Sequence, residues 1–266
     1  MKSYKPKVKD ISLFKEIAQN LVNPLEVIRE AISNSHDAES KTISIIISRS
    51  DDGRFILEIQ DDGVGMNIYD IHRFFNLGDS IKRKPGIGEK GLGTKTFFKS
   101  EGIVLLTQTS ENDAFKVEMK EPWKNLCNNK LPEYNIKNID PQTGRRGTTV
   151  RIEGYIIDNP EKYFNFETVK DYIVWFTAAG SFKTYFANCS ELNKYVHNMQ
   201  IAPRIFLEDH ILGSKEEISG VHPFHPPQEN PTDDKHKKVY KKSVNYCRHF
   251  GPFHEPTNIN GEYVSF

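Results

Sequence analysis

Cysteine is scarce in this chain. Cys127, Cys189 and Cys247 are spread through 266 residues with no C-x-x-C pair. That odd, sparse usage argues against a disulfide framework and fits a reducing compartment, with the cytosol, or the nucleus of a eukaryote, as the expected location. No apolar run approaches eighteen residues, and the opening MKSYKPKVKD has no apolar core of a secretory signal, so no membrane span or partner is expected. Excess charge of one sign is missing as well. Lys+Arg and Asp+Glu both number 36, so any nucleic-acid or membrane attraction must come from a local patch. Internal repeats and low-complexity tracts are also absent. What remains is 37% apolar and 27% charged, the composition of a soluble globular protein.

The apolar periodicity fills in the elements. Residues 11–22 carry apolar side chains at 11, 14, 17, 18 and 21, a helical pattern. Asn23-Pro24 then restarts a helix, with Asn23 as N-cap and Pro24 at the first helical position, running to about Ala38. KTISIIISRS (41–50) and RFILEIQD (54–61) alternate around Asp-Asp-Gly as a β-hairpin. Residues 67–77 read as helix stopped by Gly78, and a Gly- and Lys-rich loop leads to a short helix at TKTFFKS. Strands are expected at 102–109, 114–119 and 148–154, and an aromatic-rich helix at about 160–179. This order implies an α+β fold, a two-layer α/β sandwich with one mixed sheet and helices on one face. After about residue 185 the pattern weakens. We expect residues 185–266 to begin a second, smaller unit that continues past residue 266.

Four stretches bear on chemistry. In REAISNSHDAESK (29–41), Glu30, Asn34 and Asp37 fall within roughly 60° of one another around the helix. Leu25, Ile28 and Ile32 form the opposite, core-facing stripe. Taken alone, the three polar residues read as an ordinary solvated face. In RFILEIQDDGVGM, the period of two puts Asp61 on the inward face with Phe55, Leu57 and Ile59, where a carboxylate needs donors. Gly63 and Gly65 allow a flat ring close to the backbone. The plainer reading is a turn with a satisfied aspartate. GIGEKGLGTKTFF (86–98) leads glycines into a helix N-terminus, a setting suited to phosphate oxygens, yet it lacks the spacing of a P-loop. A flexible surface loop is the alternative there. GTTVRI (147–152) puts Thr148 on the same inward side as Asp61.

In this order the four resemble the motifs of the GHKL superfamily of ATPases. That group includes the ninety-kilodalton heat-shock chaperones, type II topoisomerases, MutL, MORC proteins and histidine kinases. The first motif, E-x-x-x-N-x-x-D-A, is matched by Glu30, Asn34, Asp37 and Ala38. D-x-G-x-G is matched by Asp61, Gly63 and Gly65, the glycine-rich lid by Gly88, Gly91 and Gly93, and G-T by Gly147 and Thr148. The resemblance covers about residues 11–180. It implies the Bergerat ATP-binding fold over residues 1–184, with 185–266 as a transducer-like or middle-domain-like unit.

The resemblance also implies roles. Asp61 accepts the adenine amino proton, directly and through a water shared with Thr148, and Met66 packs against the base. Asn34 offers its amide oxygen to Mg²⁺. Gly88, Gly91, Leu92, Gly93, Thr94 and Lys95 hold phosphates. Glu30 is the general base one turn from the metal ligand, and Asp37 has a supporting place. The favoured reading is a slow, Mg²⁺-dependent ATPase acting as a nucleotide-gated clamp that homodimerises, as in the chaperone, MutL and MORC branches. The alternatives are a histidine-kinase-like phosphotransfer domain and a scaffold that binds nucleotide without hydrolysis. About 25 residues precede the motif helix, too few for a phosphoacceptor helical hairpin, and the D-A after Asn34 with Glu30 in the base position resembles the ATPase branches more closely; both are expectations against the kinase. Basic and aromatic residues interleave over 235–249 and would allow nucleic-acid binding, against the plainer reading of a charged edge strand. His222, His225, Cys247, His249 and His254 would offer zinc ligands, though at no standard spacing.

Overall fold

The structure is a computed structural model that describes residues 2–8, 10–19, 23–77, 93–109, 113–177 and 203–218, with the backbone of two short strands at 257–259 and 262–264. Its strands are β1 (Lys2–Tyr4), β2 (Thr42–Arg49), β3 (Phe55–Asp61), β4 (Ser100–Gln108), β5 (Ala114–Lys120), β6 (Tyr134–Asn138), β7 (Gly147–Tyr155), β8 (Arg204–Asp209) and β9 (Ser214–Ile218). The helices are α1 (Ile11–Gln19), α2 (Glu26–Asp37), α3 (Ile68–Phe75), the 3₁₀ helix η1 (Gly93–Phe98), α4 (Pro122–Cys127), α5 (Pro160–Tyr163) and α6 (Phe166–Phe176).

The alternation of the hairpin decides which side of the sheet is wet. Ile43, Ile45 and Ile47 are fully buried, while Ser44, Ile46 and Ser48 between them are half-buried. β2 and β3 pair antiparallel with Ile45 opposite Ile59, and Gly53 closes the turn at a φ of +83°. Among the described residues one nine-stranded sheet forms, in the order β1-β6-β5-β4-β7-β3-β2-β8-β9. It is mixed, because β8 runs parallel to β2 while the other pairings are antiparallel. Helices cover one face, giving the two-layer α+β arrangement. Between the layers lie Phe14 of α1, Ile28 and Ile32 of α2, Phe97 and Phe98 of η1, and Val169 and Ile173 of α6. Each such fully buried side chain contributes roughly 1.5–3 kcal/mol of transfer free energy.

Local chemistry sets the helix ends. Asn23 accepts from the Leu25 N–H at 3.0 Å, so the Asn-Pro pair makes a turn and regular α2 starts only at Glu26. Asn67 caps α3, accepting from the Tyr69 and Asp70 N–H groups, and Asp70 completes a capping box. The aromatic helix expected at 160–179 is two helices. Asn165 breaks it, donating to the Glu161 and Lys162 carbonyls and capping α6 through the Thr168 N–H.

The sheet also runs past the boundary expected after residue 184. Ile205 and Leu207 of β8 are fully buried and pair with Ile43 and Ile45 of β2. The chain divides into compact units at Met1–Gly220 and Val221–Phe266. In the second unit, β10 (Thr257–Ile259) and β11 (Glu262–Val264) form an antiparallel pair. Among the described residues, no helix is long and apolar enough to cross a membrane.

Candidate functional site

Three side chains line up across neighbouring strands at one end of the sheet. Register pairs Asp61 of β3 with Thr148 of β7, and Thr148 with Thr107 of β4. Asp61 is the last residue of its strand, so its carboxylate sits where the chain leaves the sheet. One oxygen accepts from the Gly63 N–H at 2.9 Å and the Thr148 N–H at 3.3 Å, and the other from the Ser35 hydroxyl at 3.1 Å. Burial nevertheless dominates and pushes the Asp61 carboxyl up to about 6, with the Asp62 charge adding to the rise and these three hydrogen bonds opposing it. Asp62 points away and accepts from the Lys41 and Thr42 N–H groups, tying the base of the hairpin.

Glycine is required at two places around this carboxylate. At Gly147, φ is +121° and a Cβ would overlap the Asp61 carbonyl. At Gly65, φ is +71° and a Cβ would overlap the Gln108 carbonyl. The loop that follows Asp61 is stitched to the end of α2 by the Val64 N–H, which donates to the Ala38 carbonyl at 3.0 Å. The Met66 N–H donates to the Thr107 hydroxyl at 2.8 Å.

The facing wall is α2. Leu25, Ile28 and Ile32 bury their stripe at 4%, 0% and 1% exposure, which turns Glu30 and Asn34 to the opposite side. Asn34 is exposed and Glu30 and Asp37 are half-buried. Glu30 lies directly against the backbone of Gly93, where a Cβ would overlap its carboxylate. Arg29 bridges Glu30 at 2.9 Å and also pairs with Glu26, which in turn accepts from the Tyr172 hydroxyl at 2.9 Å. Burial raises the Glu30 carboxyl, Arg29 pulls it down, and Glu26 raises it again. Asp37 sits 3.7 Å from the His36 imidazole.

The phosphate-loop residues divide. Gly88, Gly91 and Leu92 lie outside the described residues. Gly93, Thr94 and Lys95 begin η1. Lys95 is buried, and its ammonium donates to the Phe74 carbonyl at 2.6 Å and to the Thr94 hydroxyl at 2.7 Å. The C-terminal turn of α3, with its free carbonyls and negative dipole end, accounts for that placement. Residues 235–249 and the histidines at 222, 225, 249 and 254 also lie outside the described residues.

The structure thus brings Asp61, Gly63, Gly65, Met66 and Thr148 to one side, with Glu30, Asn34, Asp37 and Gly93 on the α2 side. Sequence reasoning missed Ser35 and Thr107. Ser35 follows Asn34 and carries no periodic signal of its own. Thr107 shares its inward face with Ile103 and Leu105, but only the β4–β7 register brings it to Thr148. Among the described residues, the acid and amide side chains of the site (Glu30, Asn34, Asp37 and Asp61) offer oxygen atoms, which suit a hard cation such as Mg²⁺ better than a soft one.

A family model described as histidine kinase-, DNA gyrase B-, and HSP90-like ATPase matches residues 22–146. The chain is 35% identical over 143 residues to the DNA mismatch repair protein MutL of Christiangramia forsetii, covering 52% of this chain and 22% of that protein. It is 28% identical over 101 residues to the ATPase morc-1 of Caenorhabditis elegans, covering 37% of this chain and 12% of that protein. It is 26% identical over 162 residues to human ATPase MORC2, covering 56% and 15%. The chain therefore spans less than a quarter of the length of these relatives. The matched segment carries the Glu30 helix, the Asp61 loop and η1, and over it the chain is similar to the ATPase domains of the GHKL superfamily.

Proposed function

We propose that this domain binds ATP with Mg²⁺ and hydrolyses it slowly, as a nucleotide-gated clamp that homodimerises. The observation that carries the reading is the half-buried Asp61 carboxylate, aligned with Thr148 at the end of the sheet and bonded to Ser35 of α2, the helix that also carries Glu30 one turn before Asn34. An exocyclic ring amine would add a further donor to the Asp61 oxygen that accepts only from Ser35 among the described residues. Met66 and the Gly63–Gly65 loop give the base a flat, backbone-lined wall.

Asn34 and the neighbouring carboxylates would hold the cation, whose contribution when bound is to neutralise phosphate charge. Glu30 orients a water and takes its proton as the water oxygen bonds to the γ-phosphorus. The bond to the bridging oxygen breaks, leaving ADP and inorganic phosphate. Partial burial, which raises its carboxyl, suits Glu30 to that role. Gly93, against which Glu30 rests, couples the base to the start of η1. Lys95 would have to leave Phe74 to reach a phosphate, so we assign the early phosphate contacts to the backbone N–H groups around Gly91–Thr94. The names of the MORC relatives, both called ATPases, support hydrolysis, and that of the DNA mismatch repair protein MutL supports work on DNA.

The test is steady-state phosphate release by wild type and Glu30→Ala, with nucleotide affinity measured beside it. Loss of release with retained binding is expected. Equal release from both proteins removes the hydrolase claim. For the clamp, a non-hydrolysable ATP analogue is expected to convert monomer to dimer in sedimentation, and an unchanged mass rejects it. For nucleic acid, a salt-sensitive gel shift is expected if residues 235–249 track a backbone, and no shift rejects that contact.

A further inference from the structure

Thr107 is a threonine inside β4 with 3% exposure, and it belongs to none of the four motifs. Its hydroxyl oxygen sits among three polar neighbours. The Met66 N–H donates to it at 2.8 Å, the Gly147 carbonyl lies at 3.3 Å, and the Thr148 hydroxyl lies at 3.1 Å. A hydroxyl has one proton and two acceptor sites, so these contacts use its whole capacity. The Met66 bond comes from the loop after Asp61, and the Gly147–Thr148 contacts come from the strand that also donates to Asp61. Thr107 therefore ties together the two segments that flank the Asp61 carboxylate.

We propose that Thr107 is a positioning residue that sets base selectivity. It fixes the rotor of the Thr148 hydroxyl, and so fixes whether that oxygen meets the ring as donor or acceptor beside Asp61. The inference rests on the nucleotide reading of the site and adds a residue to it. With its rotor fixed, Thr148 presents one polarity to the six-position of a purine, and a ring amine and a ring carbonyl are met differently. A bare hydrophobe at 107 leaves Thr148 free to rotate and satisfy either group. It also strands the Met66 N–H, a cost to stability that has no bearing on which base is preferred.

The experiment measures the ratio of GTP to ATP dissociation constants for wild type, Thr107→Val, Thr107→Ser and Thr148→Val, and for the Thr107→Val/Thr148→Val double variant. Thr107→Val is expected to reduce the ratio by roughly five- to tenfold, the worth of about one hydrogen bond. Thr107→Ser keeps the hydroxyl and is expected to stay within twofold of wild type. The double variant is expected to lose little more than Thr148→Val alone, since the two residues act as one unit. A lowered melting temperature in Thr107→Val with an unchanged ratio means a purely structural role and overturns the proposal. Additive losses in the double variant overturn it as well. Wild type and Asp61→Asn binding ATP alike would overturn the nucleotide reading itself, a separate failure from an insensitive Thr107.

Discussion

The two walls of the site are built differently. On the sheet side, Asp61, Thr148 and Thr107 sit in register on three strands, each held by named hydrogen bonds and by glycines whose Cβ would collide with the neighbouring backbone. On the α2 side, Glu30 is shared with Arg29, and Asn34 is exposed. The first wall has one arrangement, fixed before any ligand arrives. The second depends on which partner Glu30 keeps. Selectivity belongs on the rigid wall, where positions are pre-organised, and a gated chemical step on the wall that can exchange partners.

The largest effect should come from breaking the rigid wall at its backbone. Gly147→Ala puts a Cβ onto the Asp61 carbonyl at a φ that disfavours it, so we expect a loss of more than about 3 kcal/mol in urea unfolding. A near-wild-type midpoint would mean that this wall yields. Glu30→Gln attacks the other wall. It should lower phosphate release by about 10²–10⁴-fold and leave ATP affinity within twofold. A parallel loss of affinity would place Glu30 in ground-state binding.

Acid sharpens the contrast next. The folded-state value for Asp61 is raised from 3.8 to about 6, so the folded protein holds this proton more tightly than the unfolded chain. Its contribution favours folding below pH 4 and is lost as pH rises through about 6. ATP that needs the ionised carboxylate should bind roughly tenfold more weakly for each pH unit below about 6, while Asp61→Asn shows no such titration. A flat affinity between pH 5 and 7.5 would remove Asp61 as the acceptor. The smallest effect belongs to Lys95→Met. We expect a loss of about 1–2 kcal/mol in stability, from the C-terminus of α3, and little change in ATP affinity. A stable variant with weakened binding would instead return Lys95 to the phosphates.

Much of this was legible in the sequence. The hairpin, the α2 stripe and the inward aim of Asp61 followed from periods of 2 and 3.6, because those elements bury one face each. The four motifs carried the family. The break at Asn165 was not legible, since apolar spacing continues on both sides of it and only the side-chain cap ends the helix. β8 and β9 escaped because their role depends on a parallel partner about 160 residues earlier, which no local pattern reports. Thr107 was hidden for the same reason, while Lys95 looked like a phosphate ligand because a sequence cannot display the carbonyls at the end of α3.

Calorimetric titration of ATP into wild type and Asp61→Asn, with Mg²⁺ at pH 7.5, tests the central claim most directly. Saturable binding by wild type, weakened at least about a hundredfold by the single substitution, is the expected result. Equal binding by the two proteins, or none by a folded wild type, would contradict the account.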